Sequence, residues 1–118
     1  MNDRELLELA AKAANVDFYT PEGMDAPWCG SGFYLRGCAV WNPLTDDGDA
    51  LRLAVKLGIE LLFTKNRVGA GRHSPAAAPW AAEDRNVDDP YSATRRAIVR
   101  AAVAIGEKME TKPWPPRS

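Results

Sequence analysis

The sequence predicts an α+β protein in which a small antiparallel sheet is flanked by about three helices. Three features carry that expectation. Apolar residues recur at helical spacing in three separate stretches, two segments read as β-hairpins, and Pro or Gly punctuates most junctions between them. After the first helix, a hairpin followed by a helix occurs twice in succession, an order that suits helices laid on an antiparallel sheet.

At the start, Asn2 stands three residues before Glu5, and the early acids Asp3 and Glu5 suit the positive end of a helix macrodipole. A first helix is predicted to Ala14. Leu6, Leu9, Ala10 and Ala13 share one face, Leu7, Ala11 and Ala14 widen it, and the face is expected to pack on a sheet. Val16 to Tyr19, β-branched and aromatic, reads as a short strand ended by Pro21 and Gly23. From Gly23 to Gly32 the run GMDAPWCGSG has neither helical nor strand period and reads as a surface loop. Phe33 to Leu35 and Cys38 to Trp41 then form a tight hairpin about a two-residue turn, Arg36-Gly37, and Asn42-Pro43 stops the second strand.

A second helix is expected after Thr45 or Asp46 as cap, with Asp47 and Asp49 in its first turn and Gly58 as its stop. Leu51, Ala54, Val55 and Leu57 are placed inward, and Arg52 and Lys56 outward. Ile59 to Thr64 and Arg67 to Ala70 suggest a second hairpin, while Gly71 to Asn86 reads as a long loop carrying a partial edge strand. Asp89-Pro90 opens the longest helix, which runs to about Met109. Ile98, Ala101, Ala102, Ile105 and Met109 make its buried stripe, and Arg96, Arg100 and Glu107 point the other way.

A length of 118 residues, 46% hydrophobic and 26% charged, is ordinary for one folded domain. Residues 1–110 are assigned to that domain and residues 111–118 to an extended, Pro-rich tail. Apolar runs are too short for a membrane span, the N-terminal residues do not form a secretory signal, and the chain reads as cytosolic. A net charge of −1 leaves no global field for nucleic acid, so such contact would need a local Arg patch. Cys29 and Cys38 form neither a CxxC pair nor half of a short-spaced zinc motif.

Chemistry-bearing residues are few. Asp46, Asp47 and Asp49 have the oxygen ligands a divalent cation needs, but their spacing fits helix capping better. His73, beside Ser74 in a loop, is the single histidine and has no nucleophile motif around it. Gly69-Ala70-Gly71-Arg72 lacks the Lys-Ser/Thr of a P-loop and reads as a turn. Arg95, Arg96 and Arg100 give the last helix a basic edge, with Glu83 or Asp84 as internal partners in the simpler reading. Trp28 and Trp80 lie in irregular segments and qualify as contact residues, as does Trp114, whereas Trp41 belongs to a strand and to the core. The candidate binding residues are therefore Trp28, Trp80, Arg72, Arg96 and Arg100. No catalytic residue, metal site or cofactor is assigned.

The blocks WNPLTDDGDALRLAVKLGIE (Trp41 to Glu60) and ATRRAIVRAAVAIGEKM (Ala93 to Met109), with the opening RELLELAAKAA (Arg4 to Ala14), resemble small hypothetical proteins of tailed phages and prophages, the phage ABA-sandwich-domain family. That resemblance implies an α/β/α sandwich made in the cytoplasm of an infected bacterial host, and it supplies no activity. The segments Thr20 to Gly32 and Arg72 to Asn86 depart from it.

Three functions are compatible with these residues. The leading one is a non-enzymatic phage accessory protein that binds a host or phage macromolecule, most simply a protein, with antagonism of host defence as an analogy from the resemblance. A second is a ligand- or nucleotide-sequestering protein in which Arg36, Arg67, Arg72 and Arg96 converge on phosphates. A small metal-dependent enzyme using Asp46, Asp47 or His73 is the third, and homo-oligomerisation is compatible with each.

Overall fold

A computed structural model describes residues 1–37, 39–72, 80–86 and 89–110. They form an α+β fold of three helices with a two-stranded and a three-stranded antiparallel sheet. Helix α1 (Asp3–Ala14) begins where the Asn2 side chain accepts a hydrogen bond from the Glu5 amide at 2.8 Å, satisfying one of the donors a helix start leaves open. It ends at Asn15, in the left-handed region with φ 55°, and the Val16 amide returns to the Ala11 carbonyl at 2.9 Å.

With its Val16 amide engaged in that cap, the segment 16–19 forms no strand, contrary to the sequence expectation. Tyr19 makes one backbone bond, to the Tyr34 carbonyl at 2.7 Å. The Phe18 ring instead stacks on Phe33 with centroids 3.9 Å apart. Aromatic packing, not a hydrogen-bond ladder, fixes this stretch.

Strands β1 (Phe33–Tyr34) and β2 (Val40–Trp41) form the predicted hairpin, with Phe33 opposite Trp41 and Tyr34 opposite Val40. The Leu35 amide donates to the Ala39 carbonyl at 2.8 Å, a register one residue away from the one a two-residue Arg36-Gly37 turn gives. Positive φ at Gly37 serves the turn; Cys38 lies outside the described residues.

Helix α2 (Asp47–Leu57) has Asp46 as its N-cap and Gly58, φ 67°, as its stop. Its buried residues include Ala50, Leu53, Ala54 and Leu57, a spacing that lines one helix face. Leu51 and Val55, expected inside, are 60% and 73% exposed. At roughly 100° per residue Leu51 and Val55 sit about 110° and 150° from the centre of that face, so docking through the Ala50–Leu57 stripe turns them out.

Strands β3 (Glu60–Phe63), β4 (Arg67–Gly71) and β5 (Ala81–Asp84) form the larger sheet in that order, all antiparallel. Arg67 to Ala70 form a strand as the second-hairpin reading predicts, and the turn reading of Gly69 to Arg72 fails because β4 runs on through Gly71. The Trp80 indole lies against both glycines, and a β-carbon on Gly71 would overlap its ring, so these positions are small to admit an aromatic side chain. Cross-strand register puts Leu61, Ala70 and Ala81 with Phe63, Val68 and Glu83 on one face.

Helix α3 (Pro90–Glu110) covers that face at β4 and β5 and packs against α1 and α2 on its other sides. Its Ala97, Val99 and Ala102 are fully buried, as are Val68 and Ala70 beneath it. Ile98 and Ala101 are buried and Arg96, Arg100 and Glu107 are exposed, as predicted; the Met109 side chain and residues 111–118 lie outside the described set. Helix α1 therefore packs chiefly on α3, not on a sheet. On the opposite sheet face Leu62 and Glu60 are exposed, so among the described residues no helix forms the outer layer that the sandwich resemblance implies. No helix among the described residues is long and apolar enough to cross a membrane.

The α1–α3 contact is closest at Gly106, where a β-carbon would overlap the Leu9 carbonyl oxygen. Gly106→Val should therefore force the helices apart and lower unfolding free energy by about 1 to 3 kcal/mol, measured by urea denaturation. At the other end of α3, the Ser92 hydroxyl, then the Ser92 and Tyr91 amides, hydrogen-bond to Asp89 and lower its pKa from 3.8. A lowered folded-state value means that this cap stabilises fully above the ordinary Asp range and loses its contribution as pH falls through the folded value. Asp89→Asn should flatten that part of the acid limb in a pH series of denaturation midpoints.

Candidate binding groove

A helix is wide enough to cover about two strands, and α3 lies over β4 and β5. The β3 end of the same face overhangs it. Helix α2 closes the far side, leaving a groove of about 540 Å³ between β3, α2 and the first half of α3. Buried Ala50 and Ile98 and half-buried Leu61 line it. Leu51, Phe63 and Tyr91 also line it, and they are 60%, 52% and 69% exposed. Three large apolar side chains at one concavity exceed the scattered apolar exposure of ordinary surfaces.

Two arginines border the groove in different states. Arg95 is largely buried and fully engaged: Nε donates to the Leu44 carbonyl at 2.9 Å, Nη1 to Asp47, and Nη2 to the Ser92 hydroxyl at 3.0 Å. Since Ser92 in turn donates to Asp89, the cap of α3 and the entry to α2 form one hydrogen-bonded chain. Arg85 lies against Phe63, its guanidinium carbon 5.5 Å from the ring centroid, and donates through Nη1 to the Thr64 carbonyl. Its Nε is buried without a hydrogen-bond partner.

The arginines named from sequence are not gathered into one site. Arg96 and Arg100 both approach Glu83, the simpler internal pairing. Arg72 donates from Nε to the Leu57 carbonyl at 2.7 Å, satisfying a helix C-terminus. Arg36 lies at Tyr19, with 6.0 Å from guanidinium carbon to ring centroid. Arg67 opens β4 while Arg72 follows its end, a separation of roughly 16 Å along a strand. These positions do not converge on one phosphate.

Trp28 is half-buried, its ring 4.9 Å from Phe33 and beneath the Arg4 guanidinium at 5.9 Å. It belongs to the aromatic cluster that also includes Phe18 and the buried Trp41. Trp80 is 37% exposed and donates from Nε1 to the Arg72 carbonyl. Neither lines the groove. His73, Ser74 and Trp114 lie outside the described residues, and the Cys29 thiol faces the Gly32 carbonyl at 3.3 Å.

Each aspartate of the 46–49 cluster has its own task. Asp46 accepts from the Asp49 amide at 2.8 Å, Asp47 pairs with Arg95, and buried Asp49 accepts from the Asn42 amide at 2.9 Å and from Arg52 at 2.8 Å. Among the described residues no group of three His, Cys, Asp or Glu side chains is placed to hold a metal ion.

Comparison with protein-family models, curated proteins and solved structures finds no match to this chain. The groove must be read from its own residues. Sequence reasoning missed Leu51, Phe63, Arg85 and Tyr91; the available signal was α2, whose apolar residues exceed what one buried stripe needs.

Because the Asp46 side chain caps α2, Asp46→Ala should cost about 0.5 to 2 kcal/mol of stability. Added Mg²⁺ should leave the melting temperature of the parent unchanged in calorimetry, whereas a magnesium-dependent rise would assign the cluster to metal binding.

Proposed function

We propose that this chain is a non-enzymatic accessory protein that binds a host or phage protein, and that the groove between β3, α2 and α3 is where the partner docks. The observation that carries the reading is the exposure of Leu51, Phe63 and Tyr91 around one concavity. Burying such residues is the main source of association energy, and aromatic anchors in a pocket typically dominate it. The phage character is proposed from the resemblance of the three sequence blocks alone; under it the partner is a protein in the cytoplasm of an infected bacterium, and a defence component of that cell is one such class.

A phosphate-sequestering role is less well supported, since Arg72, Arg96 and Arg100 are spent on internal acceptors. Support for a nucleic-acid surface is equally thin, because the groove rim is apolar and the chain carries a net charge of −1.

Leu51→Asp changes an exposed side chain and should alter stability by no more than about 0.5 kcal/mol. In affinity capture from phage-infected cells, the parent should retain a stoichiometric protein that Leu51→Asp releases. Leu62→Asp, on the opposite sheet face, should retain it. Retention by Leu51→Asp together with loss on Trp80→Ala would move the docking surface to the Trp80 side of the sheet.

A further inference from the structure

We infer that the groove receives an acidic-apolar protein segment, in which a large apolar side chain fills the cleft and a neighbouring aspartate or glutamate is held by Arg85. The inference rests on the groove being the docking site. It adds the chemistry of the occupant and the residue that selects it.

Several arginines lack a described carboxylate, Arg36, Arg67 and Arg72 among them, but of these only Arg85 lines the groove. Arg52 pairs with Asp49 and lies near Asp46, Arg95 pairs with Asp47, and Arg96 and Arg100 share Glu83. Arg85 makes no ion pair with a described carboxylate; its recorded bonds end on a carbonyl and an aromatic face. The charged groups lining the groove are Arg85, Arg95 and Asp47, so after the Arg95–Asp47 pair one positive charge remains.

The guanidinium is also held ready. Thr64 fixes Nη1 and the Phe63 ring supports the plane, which leaves the edge formed by Nε and Nη2, the edge a carboxylate grips with two parallel hydrogen bonds. Nε is buried and unpartnered in the free protein, a state that costs free energy until an acceptor arrives. A carboxylate meeting Nη2 from the groove, with a small turn of the long side chain, satisfies Nε as well. Leu51, Phe63 and Tyr91 then contact the apolar neighbour of that acid.

Other occupants fit less well. A basic segment would meet an uncompensated cation. A second copy docking across a twofold axis would present the same patch, with Arg85 again and its one carboxylate already committed to Arg95. Nucleic acid would find a single net charge on an apolar rim.

The test pans a displayed random dodecapeptide library against the full-length protein and measures the selected peptides by fluorescence anisotropy. Enriched sequences should combine an aromatic or leucine residue with a nearby Asp or Glu. Arg85→Gln should weaken a selected peptide about tenfold or more, as should changing the peptide acid to its amide, and the two changes together should do little more than either alone. Circular dichroism on each variant checks folding.

Selection of peptides without acids, or binding indifferent to Arg85→Gln but lost in Leu51→Asp, overturns the acidic occupant while the groove stands. Binding indifferent to Leu51→Asp overturns the groove itself. Failure to enrich any peptide, or a dimer in sedimentation velocity that Leu51→Asp dissociates, also overturns the inference, the latter in favour of a second copy.

Discussion

Close packing around α3 is the constraint on which the other elements depend. The helix meets α1, α2, β4 and β5, and it can do so because its interior is built from small residues. Ala97, Ala101, Ala102 and Gly106 let neighbouring backbones approach on several sides, most closely where Gly106 meets the Leu9 carbonyl. Larger side chains there would leave α3 with fewer neighbours. A helix crowded on its other flanks covers only the strands nearest to it, here β4 and β5, so the overhang of β3 and the groove beneath it follow from the same packing.

Charge is distributed to hold that arrangement. Arg95 binds the entry to α2 through Leu44 and Asp47, Glu83 draws Arg96 and Arg100 onto the sheet, and Asp49 ties α2 back to Asn42 at the end of the small hairpin. The exposed members of such pairs contribute little to stability. Their larger effect here is positional. The arginines expected to form a basic helix edge pair with acids of the same chain, and the guanidinium that lines the groove without a described carboxylate, Arg85, is one that the sequence does not mark out.

Much of the secondary structure is legible before any coordinates, because helix ends are local chemistry. Asn2, Asp46, Gly58 and Asp89 each act within a few residues of themselves, and each performs the task its side chain or backbone freedom suggests. What misleads is chemistry decided elsewhere. Helix α2 carries two overlapping sets of apolar residues, and only its tertiary packing, against α3 and α1, selects Ala50, Leu53, Ala54 and Leu57 over Leu51 and Val55. Val16 to Tyr19 has the composition of a strand, yet the cap of α1 takes the Val16 amide and Phe33 takes the Phe18 ring. Gly69 and Gly71 invite a competing turn reading beside the strand one, because the side chain they accommodate, Trp80, is not adjacent in sequence. The groove is the extreme case: Leu51, Phe63, Arg85 and Tyr91 come from separate segments and share no motif.

An open apolar cleft is an exposure that a folding chain would reduce if its walls could close, so the reason it stays open matters. Here the walls are independently braced. Strand β3 is held by its full ladder to β4, from Glu60 opposite Gly71 to Phe63 opposite Val68. On the other side, Arg95 of α3 bonds Asp47 at the start of α2 and the Leu44 carbonyl just before it, while Ser92 and Asp89 hold the Arg95 end of α3. Drawing Leu51 onto Phe63 would require breaking one set or shearing the other, and either loss would offset the area gained. A cleft kept open by bonds outside it presents its side chains already ordered, which lowers the conformational entropy an occupant must overcome. Such bracing is what the proposed docking at this groove requires, since walls free to collapse would bury the same side chains without an occupant.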